Sequence, residues 1–475
     1  MAISQPWTWS SSRSTLVHFA LLTVAASAGP HPFHIGLRDV VILGGGASGT
    51  YAAVRLREDY GKSVLLVEQE AVLGGHTNTF IIPETGDAIN YGVQSYIDYM
   101  GAKAFFERFN VPLQGDVLFA SNTLLVDPST GAIDTNPPAQ PPLNESLAAL
   151  QKYHDIIKPF DAIQLPGYWD FPSGDDIPAD LLLPFNEFIA KYDLQAIAPI
   201  LTEVSGQSIT LPDPTLFVIK NFGTPVVEGF LEQTLFDPVP FDNSLLYAAA
   251  GDLLGADVLL SSTVLQATRT GAGVELVVQN LQTGEQSLVV AKRLLVAAPP
   301  STANLGALGL DAQETAVFDT WSFLTVYTAT LKTNLVPDNT SIAFSGLINS
   351  TSSFSVTWNN VPGFFWVIFF SVSPLSSEAA ADIIVDEMAA LHAAGTFAPV
   401  DGSSVVVNEV VAISNHSQVV WGQSFEQIQA GFVQDLYALQ GHRSTWYTGG
   451  LWCPDFSSNV WAFTDTVLPR LLRGI

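Results

Sequence analysis

The residues whose types and spacing could do chemistry gather where the first strong apolar run ends. Val40 to Leu43 lead into Gly44-x-Gly46-x-x-Gly49, with Ala47 and Ser48 between the last two glycines and a stretch of helical spacing behind them. Strand, tight turn and helix in that order make a dinucleotide cradle. Gly44 permits the turn, Gly46 lets the backbone approach a pyrophosphate, and Gly49 lets the helix pack on the strand. Free N–H groups at the helix N-terminus then face the phosphate charge. The next apolar strand, SVLLVE at 63–68, ends in Glu68, nineteen residues past Gly49, where a carboxylate accepts ribose hydroxyls. The glycine pattern alone is a weak signal; glycines, strand, helix and acid at these spacings together identify the motif. Six residues further on, Gly74-Gly75 with His76 behind it suits a second close approach of backbone to the same cofactor, which NAD enzymes do not need.

A second chemical stretch lies near the other end, where WYTGGLWCPDF carries Trp446, Tyr447, Gly449, Gly450 and Cys453, the only cysteine in 475 residues. A lone cysteine closes no intrachain disulfide, so its role comes from packing, an intermolecular bond or chemistry at a site. The eight histidines show no metal-ligand spacing and one thiolate builds no metal site, so no metal is expected. Neither a Gly-x-Ser-x-Gly elbow nor a Ser/His/Asp order stands out, which argues against a hydrolase.

From Glu68 onward the chain resembles the FAD-binding flavin-containing amine oxidase superfamily, whose pattern runs from the ribose Glu through a Gly-Gly pair with Arg or His behind it. INYGVQSY at 89–96 is similar to the family's Asp-x-Gly segment, with Gly92 matching and Asn90 in place of the acid. KRLLVAAPPSTANL at 292–305 resembles the apolar strand that ends in Ala-x-Pro, and STWYTGGLW at 444–452 resembles the last strand. The resemblance implies FAD as cofactor, held by the first glycine loop, Glu68, Gly74, Gly75 and His76. It also implies that the Val264 backbone meets the adenine and that Gly449 and Gly450 lie near the pyrophosphate and ribityl chain. GGHTNT, the Tyr-x-Gly turn and the WYTGG-LW ending resemble in particular fungal oxidoreductases of the β-cyclopiazonate dehydrogenase type.

That family implies hydride removal from a small apolar secondary metabolite, with a dehydrogenated and sometimes cyclised product and molecular oxygen as acceptor. Typical amine oxidases of the superfamily place a lysine near flavin N5 in the strand resembling WSFLTVYTATLK. Here Val326 or Tyr327 takes that place and Lys332 lies too far along. Tyr327 is therefore the candidate to polarise substrate or orient water, and Trp446 and Tyr447 are candidates to wall the pocket. His76, and after it Cys453, is placed to tether the flavin 8α-methyl. The untethered roles are a hydrogen bond to phosphate or ribityl oxygen for His76 and simple packing for Cys453. Two other functions stay open: an amine or amino-acid oxidase releasing hydrogen peroxide, and a redox-silent flavin-binding template protein.

The elements that must position these residues are legible in outline. DVLLSSTVLQATRTGAGVELVVQN at 257–280 alternates apolar and polar residues around glycine turns, the pattern of an antiparallel hairpin. From Ser457 a helix is predicted with a serine cap and one face formed by Val460, Phe463, Val467 and Leu471. Its dipole would favour negative charge on the reduced flavin. LPFNEFIAKYDLQAIAPIL at 183–201 reads as helical, and the aromatic segments 321–332 and 354–370 read as strands lining an apolar pocket. The fold class is thus α/β, a Rossmann-like FAD-binding domain with an α+β substrate domain inserted in two segments. The predicted divisions are 38–116, 226–300 and 426–475 for the FAD domain, and 117–225 and 301–425 for the substrate domain.

Composition sets the remaining bounds. A hydrophobic share of 48% with 13% charged residues indicates large cores. Eighteen basic against 45 acidic residues, a formal charge of −27, repel nucleic acid and anionic lipid. Beyond the N-terminus no apolar run approaches the roughly 18 residues of an integral membrane span. Arg13 followed by LVHFALLTVAASA at 16–28 resembles a signal peptide, residues 1–28, so a secretory route to a secreted or vesicular location is expected. Four glycosylation sequons, at Asn144, Asn339, Asn349 and Asn415, are compatible with that route.

Overall fold

The computed structural model describes residues 33–115, 122–136, 139–205, 211–344 and 352–475. The expected signal peptide and the Asn349 sequon lie outside these residues. Two seven-stranded sheets organise the described chain.

The first sheet is the Rossmann-like one. Its strands run in the order Val258–Leu259, Val64–Val67, Phe33–Leu43, Gln286–Val296, Gly273–Asn280 and Ser262–Thr270, and Thr445–Tyr447 adds to Gln286–Val296. Val40, Val41 and Ile42 pair in parallel with Val64, Leu65 and Leu66 on one side and with Arg293, Leu294 and Leu295 on the other. Strands flanked this way are covered on both faces, which is why they read as unbroken apolar runs. Val40, Val41, Ile42 and Leu66 are fully buried, each worth about 1.5–3 kcal/mol relative to exposure. Gln286–Val296 serves two neighbours along one edge. Gln286 to Ala291 pair antiparallel with Gly273–Asn280, and Leu294 to Val296 pair in parallel with Thr445 to Tyr447. The carboxyl ends Leu43, Val67, Val296 and Tyr447 therefore lie side by side, the place where open α/β sheets bind ligands.

The helix Ser457–Leu471 is bolted to the helix Ala47–Val54. Trp461 stacks on Tyr51 at 5.7 Å and its Nε1 donates to Ala47 O at 3.1 Å, while Tyr51 donates to Asp465 at 2.9 Å. Val460, Phe463, Val467 and Leu471 form the buried face that the sequence predicts. Its cap differs from expectation. Phe456 holds the extended N-cap conformation, φ −129° and ψ 147°, with no side-chain cap bond, and Ser457 is already helical. The segment 183–201 is not one helix either: Asp193, at φ 50°, ends Phe185–Tyr192 before the chain starts again at Ala198–Ser205.

The second sheet runs in the order Asn408–Asn415, Trp321–Thr333, Phe364–Ser371, Ser352–Trp358, Thr340–Phe344 and Asn122–Val126, with Gln418–Trp421 beside the start of Trp321–Thr333. Both aromatic segments are thus strands. Period-two alternation divides their side chains. Tyr327, Ala329, Val367 and Phe369 are buried in one core with Ile384, Met388 and Leu391 of the helix Ser377–Ala393. Side chains of the opposite parity, among them Thr328, Trp366 and Ile368, turn to the other face, where Trp366 donates to Tyr91 O at 3.1 Å. That face meets the first sheet's loops. Among the described residues no helix is long and apolar enough to cross a membrane.

Candidate functional site

At the carboxyl end of the first sheet the chain turns at Gly44, φ 101°, where a Cβ would lie 3.0 Å from Ala298 N. At Gly49 a Cβ would lie 1.8 Å from Gly44 O, so only glycine lets the helix begin this close to the strand. The second glycine pair backs directly on the first loop. Gly74 N donates to Gly45 O at 2.9 Å, and a Cβ on Gly75 would lie 2.8 Å from Gly46 Cα. Gly449, φ 118°, closes the ring of loops, its Cβ position 3.6 Å from Ser48 Oγ and 3.8 Å from Ala297 O.

Glu68 secures this assembly from beneath. Its Oε2 accepts from Gly45 N at 2.5 Å and its Oε1 from Glu70 N at 2.8 Å. Burial raises its pKa, and the bonds from Glu70 and Gly45 oppose that rise. Ser261 N and Ser262 N donate at 2.8 Å to Glu70 O and Glu68 O. These bonds set the strand carrying Val264 beside Glu68; Val264 is buried and pairs with Val278. Ser458 Oγ and Asn459 Oδ1, in the first turn of the 15-residue C-terminal helix, are buried without a hydrogen-bond partner. Side-chain-free backbone, a helix N-terminus with unpaired polar atoms and a carboxylate at the strand end fit a phosphorylated, polyhydroxylated ligand, and FAD has those groups.

A cluster that spacing does not reveal lies where the two sheets meet. His76 stacks on His416 with centroids 4.3 Å apart and planes 19° from parallel. Nε2 of His416 lies 2.7 Å from Asn78 Oδ1 and 3.2 Å from Thr328 Oγ1, and its backbone N donates to Val326 O at 2.8 Å. Burial lowers the pKa of both imidazoles; Asp455 opposes the shift at His76, and His76 deepens it at His416. His76 is an exposed residue, so it faces a cleft, while the protein packed around it desolvates its imidazole. Asp455 bounds the cleft, its carboxylate filling the space that a Cβ on Gly450 would need, and Lys220 Nζ donates to Gly450 O. Asn78 lies in the GGHTNT stretch, but no local pattern marks His416 or Thr328 or joins the three, because they meet only through tertiary packing.

Three aromatic candidates stand elsewhere. Tyr327 points away from the cleft: its hydroxyl donates to Leu375 O and its ring packs near Phe369. In a strand the neighbouring residue faces the opposite side, so Thr328 is the one that reaches the cluster. Tyr447 is fully buried, stacks on Trp452 at 4.8 Å and donates to Glu314 Oε1 at 2.9 Å. Trp446 packs against the Gly441 turn. Cys453 is fully buried with Sγ 3.5 Å from Gly449 O, and burial pushes its thiol pKa far up, which keeps it protonated. Asp311, Glu314 and His442 bring possible metal ligands within 4.8 Å of one another. Arg269 and Arg443 already pair with Glu314 there, and His442 with Asp311, so the group is an ion-pair network beneath Tyr447.

Residues 42–109 match the NAD(P)-binding Rossmann-like domain family. The chain is 32% identical over 441 residues to a β-cyclopiazonate dehydrogenase of Aspergillus oryzae, covering 91% of this chain and 93% of that one. It is also 32% identical over 486 residues to the FAD-dependent oxidoreductase pigF of Monascus ruber, covering 97% and 99%. Among solved structures, a fatty acid isomerase from P. acnes superposes with a TM-score of 0.69 at 15% identity, covering 92% of this chain and 99% of that one. At that identity the likeness is one of fold.

Proposed function

Because the chain belongs to the family of FAD-dependent oxidoreductases that includes the fungal β-cyclopiazonate dehydrogenases, we propose that it removes hydride from an apolar secondary metabolite. The product is dehydrogenated and, where the cation left behind meets a nucleophile, cyclised. Bound FAD supplies the hydride-accepting chemistry. The glycine loops and Glu68 orient the cofactor, and the N-terminus of the C-terminal helix favours negative charge beside it. Residues 38–116, 226–300 and 426–475 supply the cofactor side and 117–225 with 301–425 the substrate side.

One observation carries the substrate reading: the part of the second sheet that reaches the histidine pair does so with uncharged side chains. Thr328 bonds His416, and its cross-strand partner Ile368 and that residue's partner Ser355 share its face. The nearest lysine of that strand, Lys332, lies over the Phe364 ring at 5.4 Å. A conventional amine oxidase would be expected to set a lysine at this part of the strand; the charged group at the cleft, Asp455, comes from outside the sheet. Dioxygen is the proposed acceptor. The test is anaerobic mixing of the FAD-loaded protein with a panel of neutral polycyclic metabolites and of simple amines. Bleaching of the yellow flavin band by the first group alone is expected; bleaching by amines alone would overturn the reading.

His76 is the proposed site of a covalent bond to the flavin, since it is exposed in the cleft and its ring makes no hydrogen bond among the described residues, whereas the Cys453 thiol is buried and protonated. Secretion with N-glycosylation is proposed from the 16–28 segment and from the exposed positions of Asn144, Asn339 and Asn415. A mass shift on endoglycosidase treatment of the protein expressed in a fungal host checks it.

A further inference from the structure

His76 and His416 reach the cleft from different parts of the fold, and they are held very differently. His416 is clamped. An amide oxygen only accepts, so the 2.7 Å contact with Asn78 Oδ1 places the ring proton on Nε2, and its backbone bond to Val326 O fixes the main chain. Among the described residues the ring of His76 makes no hydrogen bond at all; its one defined contact is the stack on His416. An unclamped side chain beside a reacting atom loses rate through misorientation, so the ring that is fixed must supply the orientation of the ring that is not.

We propose that His416 is a positioning residue for His76: held by Asn78 and Thr328, its flat ring sets the plane of the His76 imidazole and so aims a ring nitrogen at the flavin 8α-methyl carbon. This rests on the covalent-attachment reading above. In that attachment a C–N bond forms between His76 and the 8α carbon, while one methyl C–H and the imidazole N–H break. The carbon is oxidised by two electrons, which enter the flavin ring and pass with two protons to dioxygen, giving hydrogen peroxide. Only a neutral imidazole has the lone pair for this step. Burial favours that form, the neutral ring stacked on His76 adds no charge to stabilise the cation, and Asp455 is the opposing group that faces it.

The experiment reconstitutes the wild-type chain and the variants His76→Ala, His416→Ala, His416→Gln and Asn78→Ala with FAD for timed intervals. Each sample is then denatured in acid, and attached and released flavin are measured by intact mass and absorbance. The wild type should carry flavin on the peptide containing His76, and His76→Ala should carry none. His416→Ala and Asn78→Ala should bind FAD yet attach it at least about tenfold more slowly. His416→Gln, whose amide can still donate to Asn78, should recover most of the rate. Attachment at the wild-type rate in His416→Ala and Asn78→Ala overturns the role of His416 alone. Wild-type protein that releases all its flavin overturns the attachment reading and this proposal with it. Should His416→Ala fail to fold, Asn78→Ala and His416→Gln decide the matter.

Discussion

Tyr447 donates its hydroxyl to Glu314 Oε1 at 2.9 Å, and the same carboxylate takes two bonds from the Arg269 guanidinium, at 2.6 and 2.7 Å. Tyr447, two residues before the last glycine pair, is thereby anchored to a buried ion pair whose two members are fully covered. Removing one partner of such a pair leaves an uncompensated charge. Glu314→Ala should therefore cost about 3–5 kcal/mol, whereas Tyr447→Phe, which removes one neutral donor, should cost about 1–2 kcal/mol. Urea unfolding curves of the two variants give the comparison.

Acid should weaken the first sheet around Asp39 only below about pH 4. A hydrogen bond from Lys292 is the main reason that the Asp39 carboxyl is held down to about 2. Its folded pKa lies below the unfolded value, so its contribution is complete above roughly pH 4 and is lost as pH falls toward 2. Asp39→Asn should flatten that part of the stability profile, with a loss of about 1 kcal/mol or less at pH 7, as for a partly exposed pair. Thermal melts of both proteins between pH 2 and 7 test this.

Gly49→Ala should abolish FAD retention, because the added methyl would lie 1.8 Å from Gly44 O and rigid backbone cannot yield. Gly75→Ala, at 2.8 Å from Gly46 Cα with φ 58°, should part the two glycine loops and also weaken binding. Flavin absorbance per mole of purified chain measures both; a full complement of FAD in Gly49→Ala would contradict the cradle.

Glu68→Gln tests the carboxylate beneath the loop. Both oxygens now accept backbone N–H groups, from Gly45 and Glu70, and a carboxamide would turn an NH2 toward one of them. The clash of donors should cost about 1–3 kcal/mol, and a loss of affinity for FAD of about tenfold for each 1.4 kcal/mol. Titration of the apoprotein with FAD provides the number.

Tyr327→Phe should leave turnover unchanged within about twofold, since its hydroxyl is spent on Leu375 O on the far face of the sheet. A Thr328→Val variant should disturb the flavin environment instead, because that side chain touches His416. Steady-state rates and flavin spectra of the pair separate the two faces.

The glycine loop, the Glu68 strand, the hairpin and the aromatic strands were legible because each depends on neighbours close in sequence. The cluster at His416 was not, because Asn78, although inside GGHTNT, and Thr328 arrive from other elements, and nothing in the sequence pairs either with His416. Tyr327 shows how narrow the margin is. The strand was rightly located, but period two gives adjacent residues opposite faces, so a one-residue difference separates the packed core from the cleft. At Ser457 the helix start was legible to one residue, and the cap was missed because Phe456 holds the extended backbone without any side-chain bond for a sequence pattern to display.

The short strand Thr445–Tyr447 pairs with Leu294 to Val296, completing an edge begun far earlier in the chain. A ribosome makes these pieces in order, so Gly44 to Gly75 and the sheet around them emerge long before Gly449 and the helix at Ser457 exist. Until then the groove lacks one wall. A chain truncated before Thr445 would therefore keep its first glycine loops but lack the strand and the Gly449 loop that wall the groove.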